Sequence, residues 1–428
     1  MVRKIVFVLV CLVALSGYAQ DGTVSPYSYF GLGETSAAST VENQMMGGIG
    51  VYADSIHVNL RNPAAYSKLG IKAGESFGIT TYTAGISHKQ TQLKSFSDQQ
   101  SSSVTNLDYL SLGFTLKKGL GLGFGVMPYT AVGYNFVDTR GAEGSRIINE
   151  YSGEGGLNRI YLSLGYEVFK NFSVGVSANY NFGVVESLRI QSTENVQFGV
   201  KDERSSRING VDLNYAVYYT PEVDEKHTLY TSLRINTQAN LSARNTKRIG
   251  SFSLLTQQDV EAVDVNLEAQ GLKETGVKIP TTATVGVGYG EKMKWFLGLE
   301  YSYQQLSDYS NVFLEIDNLV YDDASTFALG GFYVPNRSSF ESYLSRVTYR
   351  AGVRMDKTGM VINDKEVNNF GITFGLGLPL GNNLSNLNLG FELGRRGTTS
   401  ADLIEESYFK VNVGLSLNDI WFRKRKIN

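Results

Sequence analysis

Long runs in which apolar and polar residues strictly alternate constrain this chain more than any other feature. In "FKVNVGLSL", Phe409, Val411, Val413, Leu415 and Leu417 share one face, while Lys410, Asn412, Gly414 and Ser416 share the other. "LNLGFELG" (387–394) and "SVGVSANYNFGV" (173–184) repeat the pattern. A period of two marks an extended strand, and about ten residues is the length that crosses a bilayer as a tilted strand. Strands of soluble sandwiches are usually shorter, about 5–6 residues. Fourteen such segments can be placed, near 75–88, 107–117, 120–136, 158–169, 172–187, 208–220, 227–243, 280–290, 294–305, 326–335, 341–356, 368–379, 386–395 and 408–417.

The links between these segments alternate in length. Long ones fall at "KQTQLKSFSDQQSSSVTN", around "TRGAEGSRIINEYSGEGG", and near 188–207, 244–279, 306–325, 357–367 and 396–407; short ones include "PEVDEK", "EKM", "NRSS" and "GNN". Outer-membrane barrels sort their connections this way, with long loops outside and tight turns in the periplasm. A soluble sandwich has no reason to do so. The fold class predicted is all-β: a transmembrane antiparallel β-barrel of about 14 strands over 75–418, multi-pass in the cell outer membrane, with outer-membrane lipid around it. An even strand number puts both termini in the periplasm.

Composition and the chain ends agree. Gly accounts for 46 of 428 residues, above the usual ~7%. The net charge of −2 argues against nucleic acid as a partner. "MVRKIVFVLVCLVALSGYAQ" reads as a signal peptide over 1–19: Arg3 and Lys4 precede an apolar stretch too short for a spanning helix, and Gly17 and Ala19 suit cleavage. Cys11, the single cysteine, leaves with the signal, so the mature chain is expected to have no thiol or disulfide. His57, His88 and His227 are far apart in sequence, and there is no Gly-x-Ser-x-Gly elbow. No metal, cofactor or enzymatic activity is expected.

Residues 20–74 precede the first segment and are rich in Gly, Ser and Asn, as in "SPYSYFGLGE" and "NQMMGGIGVYAD". A barrel of this size leaves a lumen, and an N-terminal stretch of that length can fold into it as a plug. The tail at 419–428, "DIWFRKRKIN", places Trp421 and Phe422 for the membrane interface and Arg423 to Lys426 for headgroups, periplasm or a docking partner.

Two stretches carry a family resemblance. "GGIGVYAD" followed by "VNLRNPAAYSKL" resembles the plug pattern of the FadL/TodX outer-membrane transporters of hydrophobic compounds, and "LGGFYVPN" followed by "YLSRVTYRAG" resembles their late strand pair. The closing "GLSLNDIWFRKRK" looks like the Bacteroidota-type branch. The resemblance implies energy-independent uptake of a hydrophobic small molecule such as a long-chain fatty acid, with sideways exit where the third strand is kinked. The alternative is a non-transporting barrel of this kind acting as a subunit or scaffold of an outer-membrane secretion or assembly complex, with the 244–279 loop available to a partner.

The residues suggest where such a machine would work. In "GLGLGFGVMPYTAVGYNF", Gly121, Gly123 and Gly125 face the lumen and Pro128 interrupts the strand; proline cannot donate to a ladder, so Met127 and Pro128 are the candidate gate. Asn62, Pro63 and Ala64 are the candidate plug turn, because the residue before proline is pushed away from helix and Asn favours turns. Tyr27, Tyr29, Phe30, Met45 and Met46 are candidates for a pocket lining or for plug packing. Alternation places Arg346, Arg350 and Arg354 on the lumen face, with Glu167, Arg234, Glu300, Glu392 and Lys410 also inward, since charge on the lipid side is costly.

Overall fold

The computed structural model describes residues 22–73, 76–256, 258–314, 319–381 and 384–419. The signal segment and the aromatic–basic tail beyond Asp419 lie outside the described residues. The wall begins with β1 (Thr80–Lys94), β2 (Gln99–Lys117), β3 (Leu120–Arg140), β4 (Ile147–Phe169), β5 (Phe172–Thr193) and β6 (Phe198–Tyr219). β7 is broken into His227–Asn236 and Ala239–Ser253, and β8 into Glu274–Ile279 and Thr282–Glu291. β9 (Trp295–Gln304), β10 (Ala324–Tyr333), β11 (Thr348–Ile362), β12 (Lys365–Leu380), β13 (Ser385–Arg396) and β14 (Glu405–Asp419) complete it. Successive strands pair antiparallel, and β14 closes on β1 from Asp419↔Thr80 to Glu405↔Lys94.

The strand number matches expectation, but the strands are taller. β4, β5 and β6 have 23, 22 and 22 residues, against 10 each for β9 and β10. Crossing the bilayer takes only ~9–11. On β4 the outward residues are apolar from Ile160 through Leu162, Leu164 and Tyr166 to Val168, then polar at Asn158, Glu154, Ser152 and Glu150. The expected loop at "TRGAEGSRIINEYSGEGG" is therefore mostly strand: only 141–146 turn. Above the belt both faces meet water or polar neighbours, so the alternation fades while backbone pairing continues. At this tall end a further strand, Gln258–Asp264, pairs with the last residues of β7 and with no other strand among the described residues.

The parity rule is not kept: the long loops expected at 89–106, 188–207 and 357–367 are mostly strand, leaving only 95–98, 194–197 and 363–364 as turns at the tall end, and one link at the other end is long. "NRSS" was expected to be a short turn with a strand over 341–356, but β11 starts at Thr348 and the link occupies 334–347. Arg346, expected on the lumen face of that strand, is instead in a single 3₁₀ turn, Leu344–Arg346, at the short-turn end. The Arg346, Arg350, Arg354 periodicity runs on through a turn that alternation cannot distinguish from strand.

The lumen is filled by residues 22–73. These form a 3₁₀ turn at Pro26–Tyr29, one helical turn at Val41–Gln44 and a 3₁₀ helix at Pro63–Lys68. Substituting outward positions of one strand tests the belt boundary: Leu162→Arg should cost about 2–4 kcal/mol in a bilayer, and Ser152→Arg less than about 0.5 kcal/mol. Urea unfolding of the barrel in lipid vesicles reads the difference.

Candidate functional site

The plug turn is built by asparagines. The Asn62 side chain is fully buried, and its Oδ1 accepts from the Ala64 amide at 3.1 Å, capping the 3₁₀ helix that Pro63 opens. Asn59 Oδ1 accepts from the amides of Arg61 (3.0 Å) and Asn62 (3.1 Å), and its Nδ2 donates to the carbonyls of Gly50 (2.8 Å) and Tyr52 (3.0 Å). One side chain thus staples "GGIGVYAD" to "VNLRNPAAYSKL". The loop's backbone groups cannot reach water, so they need such partners.

Plug and wall meet through glycine. A Cβ on Gly175 of β5 would lie 2.1 Å from the Ala64 amide nitrogen, one on Gly352 of β11 2.1 Å from the Gly47 nitrogen, and one on Gly330 of β10 2.1 Å from the Met46 carbonyl. Gly121 and Gly123 of β3 make the same room for Tyr66, at 2.0 Å each. Met45 packs on Gly375 and Gly390, and Met46 in an apolar cluster with Ile49 and Val51. Tyr27 donates to the Ile404 carbonyl at 2.6 Å, and Tyr29 stacks edge-on against Tyr134, Phe136 and Tyr151. Of the five pocket candidates Phe30 lines the large central cavity and Met46 a smaller pocket beside Asp54 and His57, while Tyr27, Tyr29 and Met45 are packed. The alternation shows which glycines face inward but not which plug atom each one admits.

Ion pairs and hydrogen bonds brace the wall around the plug and tie the plug to it at Gly50, Arg61, Glu42 and Lys68. Arg234 Nη2 donates to Glu300 Oε2 at 2.7 Å, Glu300 Oε1 accepts from the Gly50 amide at 2.8 Å, and Arg234 Nη1 donates to the Arg61 carbonyl at 3.1 Å. Arg350 donates to Asn388 (3.0 Å), which donates to Glu42 of the plug (2.8 Å). Arg354 bridges Asp356 (2.9 Å) and Glu392 (3.3 Å). Lys68 meets Glu167 at 3.0 Å, while Lys410 faces Asp108 of β2 across the seam at 3.8 Å. All five strand-borne inward charges predicted beside the arginines are accounted for by such contacts.

A cavity of about 810 Å³ remains between the plug and the tall part of the wall. Lys89, Asp108, Arg354, Glu392 and Arg396 from the wall and Glu34 from the plug are among its lining residues. Glu34 meets Lys89 at 3.2 Å and Arg396 at 3.4 Å. Apolar side chains such as Phe30, Leu32, Val104, Ile279, Tyr309 and Met360 line it as well, so the space is part ionic and part apolar.

The cavity reaches an interruption in the wall. β2 and β3 pair only as far as Leu110↔Val126, whereas β1–β2 pairing continues to Lys94↔Gln99 and β3–β4 pairing to Arg140↔Ile147. At Pro128 the β3–β4 register shifts, leaving Tyr129 as an extra residue. A one-residue insertion exchanges the two faces: Met127 is buried among Tyr109 and Tyr161 below it, and Val132 and Tyr134 point inward above it. Pro128 lines the cavity and Met127 does not. Residues 22–36 occupy the interruption. The Gly22 carbonyl accepts from Asn106 Nδ2 of β2 at 2.7 Å, Glu34 and Thr35 pair with Ala131 and Thr130 of β3, and the Ser36 amide donates to the Tyr129 carbonyl at 2.9 Å.

A closed 14-strand barrel with a filled lumen and a bulged third strand defines an outer-membrane-type barrel of FadL-like fold. Solved structures agree: the Ralstonia pickettii toluene transporter TbuX (14% identity, 90% of this chain and 99% of that chain, TM-score 0.56), the Pseudomonas putida toluene transporter TodX (12%, 90% and 99%, 0.53) and a Pseudomonas aeruginosa FadL homologue (11%, 90% and 99%, 0.52). No curated protein matches the sequence. The family model of BamG matches residues 1–428, and the chain belongs to the BamG family.

Two tests address the plug attachment. Glu300→Ala leaves the Arg234 guanidinium buried without its carboxylate, at a cost of about 3–5 kcal/mol; faster cleavage of the 22–73 region by protease is the expected readout. The second concerns Asp54, whose Oδ2 meets His57 Nδ1 at 2.7 Å. Burial alone would raise the Asp54 pKa and lower that of His57, but each partner more than offsets this, so Asp54 is held down and His57 is raised. The Asp54 contribution is present above its unfolded value of about 3.9 and lost as pH falls through its lower folded value; the His57 contribution is full below about 6.5 and lost as pH rises through its higher folded value. Plug protection should therefore be greatest between about pH 4 and 6.5, and His57→Ala should flatten the alkaline decline in hydrogen exchange.

Proposed function

We propose that this chain is a partner-binding subunit of an outer-membrane complex, oriented with its short turns and termini toward the periplasm. The observation that carries the reading is the height of the wall. β4, β5 and β6 continue as paired sheet for about as many residues above the lipid belt as within it, and the sheet ends in the edge strand Gln258–Asp264 with Phe198, Val200, Val260 and Val263 exposed. Exposed apolar groups beyond the lipid and an unpaired edge are features of binding surfaces. The ionic part of the cavity lining, Lys89, Asp108, Glu392 and Arg396, offers an acyl chain little of the roughly 0.8 kcal/mol per CH₂ that apolar burial gives.

A second reading rests on the interruption between β2 and β3. TbuX and TodX, which share the fold, are toluene transporters by name. On this reading residues 22–36 leave the opening, Met127 and Pro128 flank it, and a hydrophobic compound such as a fatty acid passes sideways into the membrane. Pro128→Val restores a ladder donor and should then slow uptake of a labelled fatty acid; unchanged uptake removes the gate.

Purification in mild detergent with mass spectrometry of bound proteins and lipids separates the two. The partner reading expects a stoichiometric outer-membrane protein, released on deletion of 254–264 from a barrel that still folds. Stoichiometric acyl chains or aromatics without a protein partner would overturn it.

A further inference from the structure

The edge strand Gln258–Asp264 is short, exposed and held at both ends. Before it, the Leu254 amide donates to the Gln197 carbonyl at 3.0 Å and the Thr256 amide to Ser253 Oγ at 3.3 Å. After it, the Val265 amide donates to the Lys247 carbonyl at 2.9 Å, Leu267 is buried, and Asn245 Nδ2 donates to the Leu272 carbonyl at 2.8 Å. The Val265 bond also fixes which way the strand faces. Successive residues of an antiparallel ladder turn their main-chain groups to opposite sides. Glu261 and Val263, opposite Ser251 and Ile249, turn theirs toward β7 as Val265 does. Ala262 and Asp264 therefore turn their amides and carbonyls to the free side, where no other strand lies among the described residues. Such an edge is a template for one more strand.

Charge decides which strand fits. Residues 258–268 hold four carboxylates, Asp259, Glu261, Asp264 and Glu268, and no basic side chain. Two of the four are committed: Asp259 meets Lys201 at 3.3 Å, and Glu268 meets Lys273 at 2.7 Å. Glu261 and Asp264 are exposed and form no ion pair among the described residues, although Arg248 lies across the ladder from Asp264. Val260 and Val263 beside them are exposed as well. Two copies of this edge would set carboxylate against carboxylate, which disfavours pairing between copies of the chain. The chain's own basic stretch, 423–426, follows Asp419 in sequence, and Asp419 stands at the short-turn end, with the height of the wall between it and this edge.

We infer that Gln258–Asp264 accepts an extended strand of a partner protein on the tall-end side, one with basic residues opposite Glu261 and Asp264 and apolar residues opposite Val260 and Val263. Main-chain bonds from Ala262 and Asp264 give the pairing, as in other recognition at sheet edges. The opposed charges set partner and register. Because the edge is already ordered, little of the interaction is lost to ordering it. The inference rests on the partner-binding reading for its use, though not for its chemistry.

The test uses the full barrel in detergent and a fluorescent peptide, Lys-Val-Thr-Lys-Val-Lys between Gly-Ser ends, which sets its first two lysines against Asp264 and Glu261. Fluorescence anisotropy should report binding that weakens with salt. N-methylation of the first lysine and the threonine removes the donors aimed at the edge and should cost about tenfold in affinity. Methylation of the first valine and the second lysine, whose amides point away, should cost little. On the protein, Ala262→Pro removes a donor on the free side and none toward β7, and should lose severalfold. Glu261→Lys with Asp264→Asn should lose about tenfold, while Glu143→Lys with Glu154→Asn, elsewhere at the tall end, should change nothing. Heat-modifiable gel migration confirms that each variant is folded, and the methylated peptides need no variant. No binding, equal loss on methylating either set of amides, or equal loss in the control pair overturns the proposal. Peptide binding without any co-purifying protein overturns the partner reading alone; a co-purifying protein retained by both edge variants overturns the strand pairing alone.

Discussion

Everything in this barrel depends on the approach of plug backbone to wall backbone at glycines. Gly175 touches main-chain atoms of Ala64, and the cross-strand pair Gly330 and Gly352 touches those of Met46 and Gly47 from another side of the lumen. A methyl group at any of them would displace a segment that has no room to move. The glycine richness of the chain is thus a packing requirement as well as a feature of strands with one wet face. It also explains the asparagines. Wall amides and carbonyls are committed to the ladder, so the plug must satisfy its own backbone with Asn43, Asn59 and Asn62, or borrow wall side chains such as Thr373 and Glu300.

The ion pairs do a different job. Paired charges in a lumen add little net stability over apolar packing of the same shape, but breaking one is costly. Arg234–Glu300, Arg350–Asn388–Glu42 and Lys68–Glu167 each join plug to wall or brace the wall beside it. They penalise any seating of the plug that leaves one partner alone. Glycine contacts permit close seating; the charges select which seating is used.

The lipid-crossing halves of the strands were legible because lipid punishes polar groups on one face only, which writes a period of two into β4, β5 and β14. The same rule placed Arg350, Arg354, Glu300 and Glu392 inward. It failed where lipid ends. Above Asn158 both faces tolerate polar residues, and pairing continues without a pattern. It failed at Arg346, where a turn kept the spacing of a strand by coincidence. It also could not separate lining from packing: Met45, Tyr27 and Tyr29 have the chemistry of a pocket, but glycines and aromatic neighbours on distant strands decide that they fill space. Pro128 was readable as a break, whereas the exchange of faces above it follows from Tyr129 being inserted, which sequence alone does not show.

The interruption between β2 and β3 and the plug belong to one continuous segment, and this limits how either can move. Ser36 is bonded to Tyr129 at the opening, and Val41, only five residues later, is packed against Gly414 of β14. Fully extended, five residues span about 17 Å, so residues 22–36 can leave the opening while Val41 stays seated, but only by drawing the intervening chain taut. Larger displacement must unseat Val41 and then Met45, which lies on Gly375 and Gly390. A sideways opening and a plug movement are therefore separable for small excursions and coupled for large ones.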